Sequence, residues 1–462
     1  MSVALQIYKY LPPRSRSLAA SARGYYLKWW RYGRDTEKLV EAALDRESWS
    51  PQRWEEWRSE RLAHVTERAR RRVPHFRNYW ENQADGSDSR VLELTEWPIL
   101  EKSELRRQPR SFIADDCVVS KMFHDHTSGT TGTALDIWLS KETLRSWYAL
   151  FEARCRRWYG ISRHDRWAIL GGQLVVPVSQ ERPPFWVWNA GLNQLYMSSY
   201  HLSPELMDGY LNALNRYAVT YLLGYTSAMY QLAKHALRSG RKDVRLKVAI
   251  TNAEPVYEYQ RSAISEAFGC PVRETYGMAE IVAAASECEH GSLHEWPEVG
   301  IIEVEDRDSE AAGDFICTGL LNADMPLIRY RVGDRGKLTD RRCACGRTLP
   351  VIEQIEGRKD DVLFTKAGRA VGRLDPVFKG DLQIEEAQII QNSLSEIVVK
   401  VVENEGFGKK QSDMLQARLR DRLGDVQIAI ESVDSIPRTA NGKFRAVLSN
   451  LSSEERRELH GN

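Results

Sequence analysis

His126-Thr127-Ser128-Gly129-Thr130-Thr131-Gly132-Thr133 is a run of hydroxyl side chains punctuated by two glycines, and its reading governs the rest of the chain. Glycine lets the backbone pass close to a ligand, so N–H groups and Ser/Thr hydroxyls can converge on anionic oxygens; the run is shaped to hold phosphate. Thr133-Ala134-Leu135 stands where a Walker A loop would carry Gly-Lys-Ser/Thr, and the GxGxxG spacing of a dinucleotide fold is missing. A Thr/Ser/Gly stretch alone also reads as a plain surface loop. The flanking sequence has to choose.

Working outward, residues 134–139 alternate as a strand does and 140–159 have the period of a long helix. Upstream, residues 49–80 are helical, opened by Ser50 as N-cap and Pro51 as first helical residue and stopped at Pro74. Arg68, Arg70, Arg71 and Arg72 form the wet face of that helix. Downstream come a helix over 203–217, a strand over 219–225, a helix from Ser227, a strand over 246–250 and a helix ending near Gly269. This alternation predicts an α/β body with ligands at the strand ends. Trp186, Trp188, Tyr196 and Tyr225 read either as core packing or as the wall of a pocket for an apolar or ring-bearing ligand. Past Tyr276 the texture turns to short β pieces at 300–304, 314–318 and 337–339. A smaller α+β unit starts at Gly357, with strands over 396–402 and 426–433 and a helix over 412–423. The expected organisation is an N-terminal arm over 1–45, a large domain over 46–356 and a small mobile C-terminal domain over 357–462.

With 462 residues, 42% hydrophobic and 28% charged, the chain has a soluble globular composition and is long enough for several structural units. A net charge of +1 gives no overall field to draw it onto nucleic acid, which is not expected as a partner. Residues 1–34 are the local exception: Lys9, Arg14, Arg16, Arg23, Lys28, Arg31 and Arg34 with no acid, interleaved with Tyr25, Tyr26, Trp29 and Trp30. Three readings fit: a helical arm packing its aromatics on the main domain, a peripheral contact with an anionic membrane, or a transit peptide. Seven cysteines, an odd number spread over a long chain, suggest reduced thiols in a cytoplasm.

Four further stretches stand in order with the opening loop. They are Glu274-Thr275-Tyr276-Gly277-Met278-Ala279-Glu280, Arg329-Tyr330-Arg331-Val332-Gly333-Asp334, Gly357-Arg358-Lys359-Asp360-Asp361 and Pro437-Arg438-Thr439-Ala440-Asn441-Gly442-Lys443. In this order and at these separations the chain resembles the adenylate-forming superfamily of acyl-CoA synthetases. The likeness is to the phenylacetate-CoA ligase family, and within it to the capsular polysaccharide biosynthesis branch. Pro184-Phe185-Trp186, residues 198–203, Gly224-Tyr225-Thr226-Ser227 and Cys345-Gly346-Arg347-Thr348-Leu349-Pro350 support that branch.

The resemblance implies ATP, Mg²⁺ and a small carboxylic acid, with coenzyme A as acceptor. It implies that Thr127, Ser128, Gly129, Thr130, Thr131 and Gly132 wrap the β- and γ-phosphates. Ala253, Glu254 and Pro255, with Tyr276 and Gly277, would border the adenine and the acyl site. Glu280 would help hold Mg²⁺, Asp334 would accept the ribose hydroxyls with Arg358 alongside, and Asp360 would be the hinge. Lys443 would swing in to the carboxylate and the α-phosphate, a point cation on a long stem. The Pro-Lys pair that follows the loop in many acyl-CoA synthetases is replaced here by Ala134-Leu135. Cys288, His294, Cys343 and Cys345 offer three thiolates and an imidazole for a structural Zn²⁺, with His290 as the alternative fourth ligand and plain reduced thiols as the other reading. Two further function readings stay open: adenylation with transfer to an amine, hydroxyl or carrier protein, and a non-catalytic nucleotide-binding assembly protein.

Overall fold

The computed structural model describes residues 8, 10–83, 93–126, 135–173, 175–177, 179–254, 256, 258–305, 313–355, 363–366, 370–371, 374–378, 382–403, 405–437, 447–452 and 455. Its helices are α1 (Pro13–Arg31), α2 (Thr36–Asp45), α3 (Pro51–Arg72), α4 (Pro74–Gln83), α5 (Lys102–Arg107), α6 (Lys141–Cys155), α7 (Pro204–Arg216), α8 (Thr226–Arg238), α9 (Glu258–Phe268) and α10 (Lys409–Leu423). Local chemistry sets several ends: the Ser50 and Ser140 hydroxyls accept from the N–H groups of Arg53 and Thr143, capping α3 and α6. Pro74 does more than stop α3. It is the first residue of α4, where its missing N–H costs nothing.

β1 (Phe123–His126) and β2 (Asp136–Leu139) pair as an antiparallel hairpin. In chain order then come β3 (Trp167–Gly171), β4 (Trp186–Asn189), β5 (Gln194–Ser198), β6 (Tyr221–Tyr225), β7 (Val248–Asn252), β8 (Val272–Gly277), β9 (Ala284–Glu287), β10 (Leu293–Glu295), β11 (Gly300–Val304), β12 (Gly313–Gly319), β13 (Tyr330–Thr339) and β14 (Val351–Ile355). These twelve form one sheet in the order β11-β12-β13-β14-β10-β9-β8-β7-β6-β3-β5-β4. From β5 through β3, β6 and β7 to β8 every pairing is parallel; β8 and β9 meet antiparallel, and the pairings beyond stay antiparallel.

The parallel strands are apolar on both faces because both are covered. Ala168, Leu170, Leu222 and Ala249 pack under α7, α8 and α9, while Tyr221, Leu223, Val248 and Ile250 lie toward Phe151 of α6. A third core joins the N-terminal helices, β2 and α6 to the antiparallel half. The C-terminal region has its own core, built on α10 and a four-stranded sheet of β17 (Ile384–Ser393), β18 (Glu396–Glu403), β19 (Gln427–Ser432) and β20 (Val447–Ser449); the short pair β15 (Leu363–Phe364) and β16 (Ala370–Val371) lies before it in the chain. The architecture is therefore mixed α/β with a large multi-sheet part and a separate C-terminal α+β part. Among the described residues no helix is long and apolar enough to cross a membrane. On α1 Trp30 is buried, while Tyr25, Tyr26 and Trp29 stay exposed.

Candidate active site

The carboxyl ends of β6, β7 and β8 lie side by side, which is where open parallel sheets bind ligands. Register pairs Tyr225, the last residue of β6, with Asn252, the last of β7, and Ala253 and Glu254 follow directly. Ala253 has a left-handed backbone (φ 68°), and the buried Thr226 hydroxyl donates to the Glu254 carbonyl at 3.3 Å. Such a backbone costs about 1–3 kcal/mol and persists where the surroundings enforce it, most often at functional sites. Two more left-handed residues, Ile281 (φ 53°) and Arg329 (φ 47°), sit beside Glu280 and Tyr330.

Tyr276, near the end of β8, donates its hydroxyl to Asp334 Oδ2 at 2.9 Å and sets its ring edge-on to Phe315. Asp334 lies where the β12–β13 register shifts between Asp314 and Ile316, and Gly333 before it takes a positive φ (87°) that a side chain would oppose. The bulge turns Asp334 toward the strand ends. Glu280 is buried, and its Oε1 accepts from Lys102 Nζ at 3.3 Å and from the Tyr330 hydroxyl at 3.1 Å. Sequence reasoning missed both partners, 178 and 50 positions away. They are delivered by a short bridge in which Leu100 N–H donates to the Arg329 carbonyl and Arg331 N–H to the Leu100 carbonyl. A carboxylate steadied in this way is a hard oxygen donor of the type Mg²⁺ takes once or twice, its remaining ligands being waters and phosphate oxygens.

Tyr225 sits with these groups, its hydroxyl close to Gly172. Tyr196 and Trp186 do not. Tyr196 pairs with Ile169 in mid-strand, and Trp186 lies on the outermost strand, edge-on to Tyr210 of α7. Thr127, Ser128, Gly129, Thr130, Thr131, Gly132, Pro255, Arg358, Asp360 and Lys443 lie outside the described residues. The two ends of the opening loop are described: His126 and Asp136 face each other across the hairpin. Asp136 Oδ1 is 2.9 Å from both His124 Nε2 and His126 Nδ1, and His124 stacks on Trp138. This brace, also unforeseen, needs the hairpin register to exist.

Glu274 is pushed up to about 7, chiefly by burial and then by repulsion from Glu287, with Arg261 opposing. A carboxyl raised in the fold contributes stability that is complete below its unfolded value of 4.5 and lost as the pH climbs through about 7. Glu274→Gln is therefore expected to stabilise the protein at pH 8 by about 1–2 kcal/mol, after discounting for solvent screening, and to be neutral at pH 5. Urea melts at the two pH values read this directly, and equal effects at both would remove Glu274 as the cause.

At the opposite end of β9 from residues 276–280, Cys288, His294, Cys343 and Cys345 bring their ligand atoms within 4.8 Å of one another. Cys288 Sγ is 3.6 Å from Cys343 Sγ, and Cys345 Sγ is 3.3 Å from His294 Nε2. Zn–S bonds of about 2.3 Å give tetrahedral edges of about 3.8 Å, so the spacing fits. His294 Nδ1 faces the Leu349 carbonyl at 3.1 Å, which fixes the tautomer that turns Nε2 to the sulfurs. His290 is not in the cluster.

A profile of AMP-binding enzymes matches residues 59–306, more than half of the chain. The chain belongs to the AMP-binding, adenylate-forming enzyme family. A CapK C-terminal domain profile matches residues 363–450 of this AMP-binding enzyme. It is 26% identical to protein CapK of Staphylococcus aureus over 385 residues, covering 80% of the chain and 83% of that relative. It is 23% identical to a phenylacetate-coenzyme A ligase of Pseudomonas putida over 418 residues, 86% and 85% of the two chains. A crystal structure of 2-hydroxyisobutyryl-CoA ligase with 2-HIB-AMP and CoA shares its fold, with a TM-score of 0.55 at 21% identity over 87% of this chain and 91% of that one. The AMP-binding enzyme is thus an adenylate-forming ligase that is similar in sequence to phenylacetate-coenzyme A ligases.

Proposed function

We propose that this ligase activates a small carboxylic acid with ATP and passes the acyl group to the thiol of coenzyme A. A carboxylate oxygen attacks the α-phosphorus, the bond to the β-phosphate breaks, and pyrophosphate leaves with its electron pair. The thiolate then attacks the acyl carbon and AMP departs. The observation that carries the reading is the Tyr276–Asp334 pair beside Ala253 and Glu254 at the strand ends. There Asp334 accepts the ribose hydroxyls and Tyr276, Gly277, Ala253, Glu254 and Pro255 border the adenine and acyl sites. Thr127, Ser128, Gly129, Thr130, Thr131 and Gly132 clasp the leaving phosphates, with Arg358 near the ribose and Lys443 at the α-phosphate. Glu280 would hold Mg²⁺, which when bound neutralises phosphate charge. A small domain over 357–462 would turn about Asp360 between the half-reactions. Tyr225 is the aromatic best placed to meet the acid.

Kinship with ligases named for coenzyme A supports this choice of acyl acceptor. The likeness to protein CapK favours a second reading, transfer to an amine, hydroxyl or carrier protein in glycan assembly. Purified enzyme with ATP, Mg²⁺, hydroxylamine and a panel of aryl and aliphatic acids should release pyrophosphate with at least one acid. Replacing hydroxylamine by coenzyme A should yield the thioester; pyrophosphate without thioester would favour the second acceptor class, and no release across the panel would sink adenylation.

The four-residue cluster is proposed to hold a structural zinc that staples the loop over 343–350 to the β9–β10 turn. Burial pushes the Cys288 thiol up to about 12, a cost that a bound cation reverses. The purified protein is expected to carry one equivalent of zinc, and Cys345→Ser to lose it and melt several degrees lower. Metal-free protein of unchanged melting temperature would refute the site.

A further inference from the structure

The N-terminal helix α1 has two faces, and the reaction uses neither. Its inner face is locked to the body: a side chain at Gly24 would fall 1.8 Å from Asn189 Oδ1, and one at Gly191 would fall 2.4 Å from the Tyr25 nitrogen. The Ser21 hydroxyl accepts from Ala190 N–H at 3.0 Å, and Arg16 donates to Gln180 Oε1 at 2.7 Å. The helix backbone therefore lies directly on the end of β4 and the turn after it, and it cannot roll.

The outer face is fixed toward solvent and is apolar. Leu18, Tyr25, Tyr26 and Trp29 are 72%, 58%, 51% and 57% exposed, and Ala22 is exposed between them. At 100° per residue these five positions fall in one stripe about 100° wide. Exposed Arg14 and Lys28 border it on one side and Arg23 on the other. Lys141 adds a cation 3.0 Å over the Trp29 ring. No Asp or Glu occurs in residues 1–34.

We propose that this face docks on a lipid bilayer surface bearing anionic headgroups. The stripe supplies an aromatic and aliphatic wedge for the interface, and the cations that rim it meet the phosphates. A second copy is a poorer occupant, because a two-fold pairing through this face brings the cations Arg14, Arg23 and Lys28 of one copy up to those of the other with no acid on the helix to neutralise them. The assignment does not depend on the acid or the acceptor.

The test is cosedimentation of the full-length protein with vesicles of phosphatidylcholine alone and of phosphatidylcholine with about a third phosphatidylglycerol. Binding is expected to the mixed vesicles only and to weaken as salt is raised. Arg23→Ser and Lys28→Ser should each weaken it about fivefold, and Leu18→Ser or Trp29→Ser about tenfold. Circular dichroism and pyrophosphate release should be unchanged in Leu18→Ser, which separates a lost contact from a lost fold. No binding to either vesicle overturns the proposal. So does a dimer in light scattering that Leu18→Ser or Trp29→Ser turns into a monomer.

Discussion

Lys443→Ala is expected to slow pyrophosphate release about a thousandfold while leaving KM for ATP within a few fold. Adenylation gathers negative charge on the α-phosphorus as the carboxylate attacks. The loop over 126–133 contains no lysine and Ala134-Leu135 follows it, so the loop brings no cation of its own to that charge. A cation arriving from another part of the chain acts only as the charge develops, and its loss falls on kcat. Lys443→Arg should not restore the rate, because a planar fork does not replace a compact ammonium at one phosphate oxygen. Asp334→Ala should behave differently. Two ribose hydroxyls donating to a carboxylate are each worth about 1.5–3 kcal/mol, so kcat/KM should drop about 10²–10⁴-fold, chiefly through KM. Tyr276→Phe removes the 2.9 Å hydrogen bond to Asp334 and should cost about tenfold. A Lys443→Ala enzyme within tenfold of the parent would take the lysine out of the adenylation step.

Arg154→Ala is expected to lower stability by about 3–5 kcal/mol. Arg154 is fully buried on α6 and forms a bidentate pair with Glu298, at 2.7 and 2.8 Å. Arg46 reaches the same carboxylate at 3.3 Å, and Glu47 lies 3.7 Å from Arg154 while also binding Arg347 and Trp158. The network thus joins the segment after α2, helix α6 and the loop that carries Cys343 and Cys345. Removing the arginine leaves the buried Glu298 without its bidentate partner, balanced only by Arg46 at 3.3 Å, in a site where charge is poorly solvated. Replacing both partners by methionine should recover most of the loss, because two apolar side chains of similar volume carry no desolvation penalty. Urea unfolding of the parent, Arg154→Met, Glu298→Met and the double variant measures the coupling; additive losses would show that the pair is not the cause.

What could be read along the chain was whatever local chemistry specifies. Ser50-Pro51 and Ser140 announce helix starts because a hydroxyl next to free N–H groups acts within one turn. The α/β alternation and the motifs around Tyr276 and Asp334 were legible in the same way, each within a few residues. Strand β17 was not. Its buried Gln388 and Gln391 break the apolar pattern, and only the fold shows that Gln391 exchanges hydrogen bonds with the Phe364 N–H and carbonyl, as a neighbouring strand would. The aromatic cluster divided for a similar reason: Tyr225 reaches the strand ends, whereas Trp186 is taken up by α7. Sequence gives the same apolar letter to both uses.

By itself the sequence determined the family, through motifs whose residue types are required by phosphate and ribose chemistry. It also determined the acid-free arm and the three cysteines and one histidine of the cluster. Tertiary structure alone decided who meets whom: Lys102 and Tyr330 on Glu280, Asp136 between His124 and His126, Arg154 on Glu298, and which side of α1 faces outward. The physical reason is range. Caps, turns and periodicity act over a few residues, while these pairings depend on strand order and register that bring together positions far apart in the chain.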